Sequence, residues 1–183
     1  RAWAEQNPDA LTALLRALYR AAEWCGAPGN RRDLTRILAG TGYIDCPEEW
    51  LMPALSGAVE VARGDVVTVS DFFVPHANAA TFPWKSHALW FYSQMARWGQ
   101  IDASVAHEDI ARNTYRPDLY RAALRDLGAA LPGANAKVEG ALAAPTPVGS
   151  AGASLTLGPD GFFDGAIFDP DQVTAYLDSQ RHR

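Results

Sequence analysis

Residues that start and stop helices divide the first 128 residues into short segments. This spacing limits the fold to a series of short helices. Asn7-Pro8-Asp9 predicts a helix start, with Asn as N-cap, Pro in the first turn and an acid near the positive end of the helix dipole. Apolar residues then follow helical spacing until Gly26-Ala27-Pro28-Gly29 predicts the end. Further helices are predicted at residues 30–40, from Pro47, and at 83–98, 104–112, 117–127 and 170–177.

Two segments break the helical pattern. Between residues 59 and 69, valines surround Arg63-Gly64, which predicts a hairpin. Residues 129–159 are rich in Ala, Gly, Pro and Ser and lack periodicity, which predicts an extended arm rather than a core segment, running across a lobe outside this chain. The chain is therefore predicted to be mainly α with a small β element. Residues 1–128 form the body, and residues 129–183 form an arm and a terminal helix that pack on the rest.

Composition excludes several classes of protein. Hydrophobic residues make up 48% and charged residues 20%, as in soluble globular proteins. The net charge of -5 argues against direct nucleic-acid binding, and no apolar run is long enough to span a membrane. Because the chain starts at Arg1 without a signal-peptide pattern, we expect it to be part of a longer protein whose compartment stays open. Cys25 and Cys46 fix neither a disulfide nor a compartment.

A helix start and a cation coincide near residue 85. Pro83 suits the first helical position, which puts Lys85 in the first turn. A cation there is disfavoured by roughly 0.3–1 kcal/mol, and a bound anion removes this conflict. We therefore hypothesise an anion site at Lys85, walled by Trp84 and Phe82, with hydrogen bonds from Ser86 and His87. A surface lysine without a ligand is the alternative.

Binding energies limit what this stretch can do alone. Micromolar affinity needs about 8 kcal/mol of binding free energy. One charge-assisted hydrogen bond contributes only about 1.5–3 kcal/mol. We therefore expect further groups, most simply from a second lobe, to close over the anion.

Other reactive side chains form weaker patterns. His76 and His87 lack an evident third ligand for zinc, and the aspartates of residues 160–171 do not match the spacing of a calcium loop. No phosphate-binding loop, nucleophile elbow or metalloprotease motif occurs. Gly57 after Ser56 predicts a helix cap, although a glycine there also lets a ligand approach the backbone. The sequence thus predicts no catalytic residue, metal or cofactor, with an enzyme that uses His76 or His87 as the alternative.

Residues 79–91, followed by Met95, Arg97, Trp98, Gly99 and Gln100, resemble the nitrate-binding proteins of nitrate/bicarbonate ABC transporters. This NitT/TauT-type family of solute-binding proteins includes cytoplasmic nitrate and nitrite sensors. Residues 7–24 and 115–120 resemble the same family. The resemblance implies the C-terminal half of a two-lobed α/β type II solute-binding fold, like that of periplasmic binding proteins. It also implies that the lysine of the segment matching residues 82–87, here Lys85, contacts the anion, with Gly57 as a further contact.

The resemblance implies two alternative functions. The first is the substrate-binding component of a nitrate ABC transport system, which delivers nitrate or nitrite to permease subunits and is periplasmic or membrane-associated. The second is a cytoplasmic sensor that controls an antiterminator regulatory protein. The sequence leaves open this choice and the selectivity among nitrate, nitrite and bicarbonate.

Overall fold

The computed structural model describes residues 2–180, which form two compact units. The terminal unit comprises the residues up to Leu15 together with those from Phe82 onward, and the middle unit is Arg16–Thr81. The division at residue 128 lies within the terminal unit and stays a prediction.

Short helices dominate the described residues, with a few very short strands between them. The helices are α1 (Ala2–Gln6), α2 (Pro8–Gly26), α3 (Arg31–Ala39), α4 (Glu48–Ser56), α5 (Lys85–Arg97), α6 (Val105–Thr114), α7 (Pro117–Leu124) and α8 (Val173–Gln180). The strands are β1 (Ala58–Ala62), β2 (Asp65–Thr68), β3 (Leu131–Pro132), β4 (Thr146–Val148), β5 (Ser150–Ala151) and β6 (Leu155–Leu157). The predicted mainly α character with small β elements is confirmed.

Local signals set most helix ends. α2 begins at Pro8 and ends at Gly26, and α3 ends against Gly40, as predicted. Asn30 precedes α3 but makes no side-chain cap. Its amide instead donates to the Trp24 carbonyl oxygen at 2.9 Å, which leaves the amide engaged with the preceding helix.

The last helix starts later than predicted. α8 begins at Val173 rather than at Pro170. The Asp171 N–H donates to the Asp169 side chain at 2.9 Å, and the Gln172 N–H donates to the Asp169 carbonyl oxygen at 3.0 Å. Asp169 therefore holds the following residues in a turn before helical geometry begins.

The predicted hairpin is confirmed in the middle unit. β1 and β2 pair antiparallel, with Val59 opposite Val67 and Arg63-Gly64 in the turn. Gly57 ends α4 in the left-handed conformation, with φ of 74°. Its carbonyl oxygen accepts a hydrogen bond from the Val69 N–H at 2.8 Å, which closes the base of the hairpin.

The core of the terminal unit forms around α5. Leu89 and Tyr92 of this helix pack with Phe168, Val173 and Tyr176. Leu89 and Phe168 are fully buried, at 0% exposure. α5 also packs against α6 and α8. Apolar burial therefore anchors the helix whose first residue is Lys85.

Residues 129–159 include buried apolar side chains, so the expectation of an arm without core positions is wrong. β3 pairs with β5 and β4 pairs with β6, both antiparallel. Leu131, Leu155 and Leu157 are buried, while Thr156 between the last two is exposed. This alternation is the period of a strand, but it lasts too few residues for the sequence pattern to reveal it.

Two further features concern the whole described chain. Cys25 and Cys46 are free thiols, both half-buried. Within residues 2–180, each helix is too short or too polar to cross a membrane.

Gly57→Ala should destabilise the protein. A Cβ at residue 57 would lie 2.2 Å from the Val69 carbonyl oxygen, at a φ that strains L side chains. We expect the free energy of unfolding, measured by urea denaturation, to fall by about 1–3 kcal/mol. Gly29→Ala is the matched control, because nothing lies within 4 Å of a Cβ there. An equal loss in both variants would contradict the strain argument.

Candidate functional site

The first turn of α5 starts two residues later than predicted. Trp84 keeps an extended backbone, with φ of -62° and ψ of 125°, and is the N-cap, so that Lys85 is the first helical residue. The Lys85 N–H donates to the Asn135 carbonyl oxygen at 2.9 Å. This bond to a distant part of the chain meets the first donor of the helix, which is why helical geometry begins here and not at Pro83.

The Lys85 side chain carries a charge that its surroundings do not neutralise. The residue is half-buried. Its ammonium makes no hydrogen bond or ion pair with another residue of the described range 2–180. The positive end of a helix dipole disfavours a cation in the first turn. Lys85 thus lies where an anion would be stabilised.

The aromatic residues beside Lys85 are core residues. Phe82 and Trp84 are each 3% exposed. Their rings make an edge contact at 4.8 Å between centroids, and Phe82 makes a second one with Tyr120 at 5.7 Å. Trp84 therefore anchors the chain immediately before α5 by burial of its own ring.

Ser86 binds a buried carboxylate. Its side chain is fully buried, and its hydroxyl donates to Glu139 Oε1 at 2.6 Å. The same hydroxyl oxygen accepts from the Lys137 N–H at 3.3 Å. Glu139 is 6% exposed, and its backbone exchanges two hydrogen bonds of 2.9 Å with Phe168. The second residue of α5 is thus tied to the segment around Glu139.

Lys137 lies between two carboxylates. Its ammonium pairs with Glu139 Oε2 and with Asp160 Oδ2. The other oxygen of Asp160 accepts from the Leu142 N–H at 2.8 Å. Burial alone would raise the pKa of Glu139, but the hydrogen bonds from His87, Lys137 and Ser86 outweigh it, so the pKa lies below its ordinary value. Glu139 is therefore a buried, ionised carboxylate.

Arg121 of α7 holds the loop that receives the Lys85 N–H. Its guanidinium donates to the carbonyl oxygens of Pro132 at 2.7 Å and Gly133 at 3.2 Å. It also donates to the Ala134 carbonyl oxygen and to Asn135 Oδ1 at 2.6 Å. The guanidinium lies 5.0 Å from the centre of the Phe82 ring. The planar, five-donor group of arginine suits this multiple contact.

His87 is the most accessible of the side chains that contact the Glu139 carboxylate. Its side chain is 43% exposed, and Nε2 lies 3.4 Å from Glu139 Oε1. Ser86 and His87 therefore meet the same carboxylate from consecutive positions of the first turn. The Nε2 edge of this imidazole faces the buried Glu139 carboxylate, and part of the ring is exposed to solvent.

The predicted site residues thus enter different surroundings. Trp84 and Ser86 point into the core, the Lys85 ammonium has no partner among residues 2–180, and His87 borders Glu139. Gly57 lies in the middle unit, where it closes the hairpin.

Sequence reasoning missed Glu139 and Lys137, although a signal exists. They are the only charged residues between positions 129 and 159. They are two residues apart, a spacing that places side chains on one face of an extended chain. Isolated charges of opposite sign in an otherwise Ala- and Gly-rich segment indicate a buried ion pair. Arg121 carried no comparable signal, because three of its four acceptors are backbone carbonyl oxygens.

His76 and His87 belong to different units of the chain. His76 lies in the middle unit, where its ring contacts Tyr19 at 4.9 Å and its Nε2 is 3.9 Å from Glu23. His87 lies in the terminal unit. Over residues 2–180, no three His, Cys, Asp or Glu side chains are grouped as metal ligands would be.

Known proteins resemble the chain over most or nearly all of its length, although no family model matches it. The nitrate/nitrite binding protein NrtA of Synechococcus elongatus is 33% identical over 99% of this chain and 37% of that protein. The bicarbonate-binding protein CmpA of the same species is 31% identical over 97% of this chain and 38% of that protein. The nitrate import ATP-binding protein NrtC of Synechocystis is 30% identical over 69% of this chain and 19% of that protein.

The fold matches a solved structure. The crystal structure of the periplasmic nitrate-binding protein NrtA from Synechocystis superposes with a TM-score of 0.77 and 28% identity. The match covers 98% of this chain and 43% of that one. The predicted fold class, a mainly helical part of a periplasmic-binding-protein fold, is confirmed. The chain spans less than half the length of each of these relatives.

Arg121→Lys should destabilise the protein, because an ammonium cannot donate to this set of acceptors at once. We expect a loss of about 1.5–3 kcal/mol in the free energy of unfolding, measured by urea denaturation. Arg125→Lys is the matched control, since Arg125 follows in the same region and is exposed. A neutral Arg121→Lys would contradict the role given to its guanidinium.

The ionised Glu139 should make stability sensitive to acid. Because the folded-state pKa is lowered from 4.5, its contribution is fully present above that pH and is lost as the pH falls through the folded-state pKa. Between about pH 5 and pH 3, we expect the free energy of unfolding to decrease less in the Glu139→Gln variant than in the wild type. Urea denaturation at each pH measures this decrease. Equal decreases in variant and wild type would contradict the prediction.

Proposed function

Because the chain belongs to the family of nitrate- and bicarbonate-binding proteins, we propose that it forms one side of the anion site in a nitrate- or nitrite-binding protein. That protein is the substrate-binding component of an ABC transport system. The length of the relatives supports a site shared with further polypeptide, because the chain spans 37% of NrtA from Synechococcus elongatus.

The Lys85 ammonium carries the proposal. It is half-buried at the N-terminus of α5 and unpaired among residues 2–180. An oxyanion beside it gains the charge of the ammonium and the positive end of the helix dipole together. The Lys85 N–H already donates to Asn135, so the side chain supplies the main contact.

Energies explain why this chain is one side of the site only. One charge-assisted hydrogen bond of about 1.5–3 kcal/mol falls well short of the roughly 8 kcal/mol of micromolar binding. Further donors from the rest of the protein, which close over the anion and exclude water, make up the difference.

The other predicted residues take different parts in the proposal. Trp84 and Ser86 hold the first turn of α5 from the core side, since both are buried. His87, which is 43% exposed, lines the solvent side of the same turn. Gly57 is left out of this site, because its N–H and its carbonyl oxygen are already bonded to Ala54 and Val69 in the middle unit.

A transport role fits the relatives better than the two alternatives. They are named as anion-binding proteins and as an import ATP-binding protein. Permease and ATP-binding subunits are therefore the proposed partners. The relative of known structure is named as periplasmic, which supports a periplasmic or membrane-associated location. We infer a binding protein rather than an enzyme or a cytoplasmic sensor.

Lys85→Ala should weaken nitrate binding by the full-length protein. We expect at least about a tenfold higher dissociation constant by calorimetry, because a charge-assisted contact is removed. Circular dichroism should show a retained fold, since Lys85 makes no side-chain hydrogen bond or ion pair within residues 2–180.

Arg97→Ala is the matched control. It removes the same charge from the opposite end of the same helix, at an exposed position. Its nitrate affinity should equal that of the wild type. Unchanged affinity in Lys85→Ala would overturn the assignment of the anion site, and competition by bicarbonate would measure selectivity.

A further inference from the structure

Lys137, Glu139 and Asp160 form a charged cluster next to the first turn of α5, and its positive and negative charges do not balance. One ammonium, that of Lys137, faces two carboxylates, those of Glu139 and Asp160. The three groups together carry one net negative charge. The side chains of Lys137 and Asp160 are 18% and 19% exposed, and that of Glu139 is 7% exposed, so solvent screens this charge only weakly.

His87 is the group that can cancel this charge. Its Nε2 lies 3.4 Å from Glu139 Oε1, and histidine is the side chain that normally changes charge near neutral pH. With a neutral imidazole the cluster is negative, and with a protonated one it is neutral. His87 contacts Glu139, which belongs to one cluster with Lys137 and Asp160, and Lys85 lies two residues before His87 on the same helix.

Glu139 also determines where the first turn lies. It accepts the Ser86 hydroxyl and faces His87, while its backbone is bonded to Phe168 on both sides. Lys85 immediately precedes these two residues. The position of the first turn of α5 and the charge of the cluster next to it therefore both depend on the Glu139 carboxylate.

We propose that Glu139 is a positioning residue of the anion site and that it couples anion binding to a proton on His87. The inference rests on the proposed function of Lys85. An anion near the first turn is repelled by the net negative cluster, and a proton on His87 removes that charge. By reciprocity, binding of the anion favours protonation of His87. Nitrate therefore binds with uptake of a proton, more tightly at lower pH.

The test is calorimetry of nitrate with the full-length protein at about pH 6 and about pH 8, where a histidine changes charge. We expect a dissociation constant about fivefold lower at the lower pH. Proton uptake is measured separately by repeating the titration in buffers of different ionisation enthalpy. His87→Gln, a change at a side chain that is 43% exposed, should remove both the pH dependence and the proton uptake.

The Glu139→Gln variant distinguishes a role of Glu139 in proton-linked nitrate binding from a purely structural role. A glutamine can still accept the Ser86 hydroxyl, but it removes the negative charge. If Glu139 couples the two events, its loss leaves the imidazolium of His87 without the carboxylate that stabilises it, so His87 stays neutral at both pH values and the ratio of the two dissociation constants approaches one. If it is only structural, affinity falls by the same factor at both pH values and the ratio stays about fivefold, which overturns the coupling.

Controls keep this inference distinct from the proposed function. His107→Gln removes a histidine whose Nδ1 lies 2.7 Å from the Asp102 carbonyl oxygen and should keep the wild-type ratio. A wild type that binds nitrate equally at both pH values overturns the proton coupling. A wild type that binds no nitrate, or a Lys85→Ala variant with unchanged affinity, overturns the proposed function instead.

Discussion

The buried carboxylate of Glu139 is the interaction on which the site depends. One of its oxygens contacts the Ser86 hydroxyl and His87 Nε2 of α5, and the other contacts the ammonium of Lys137. A carboxylate with 6% exposure would be costly to bury without such partners. Each donor that satisfies it is consequently held in place, and the start of α5 is held with them.

Two independent anchors support the same helix end. Arg121 orders the loop whose Asn135 carbonyl oxygen accepts the Lys85 N–H, and Glu139 ties down the next two residues. Farther along α5, Leu89 is fully buried in the apolar core. A helix fixed at its start by polar contacts and along its length by burial presents its first residue in a defined position. The half-buried Lys85 gains its fixed position from these neighbours.

Patterns among residues close in sequence predicted many of the local elements of the fold. The hairpin around Arg63-Gly64 and the ends of α2 and α3 followed from turn and cap residues that act on their chain neighbours. The position of Lys85 in a first helical turn followed in the same way. The exact start of α5 did not, because it depends on a hydrogen bond to Asn135. Core positions in residues 129–159 were missed because alternation there spans only a few residues.

The sequence by itself determined the helical segments, the hairpin and a cation at a helix start, because those depend on residues close together in the chain. Its resemblance to anion-binding proteins predicted the fold class, which the similarity to the solved NrtA structure confirms. Only the tertiary structure decided what surrounds that cation. Ser86 and Glu139 are 53 residues apart, and no local pattern encodes their meeting. A buried ion network forms only where the folded chain excludes water, so its members become visible once the core is assembled.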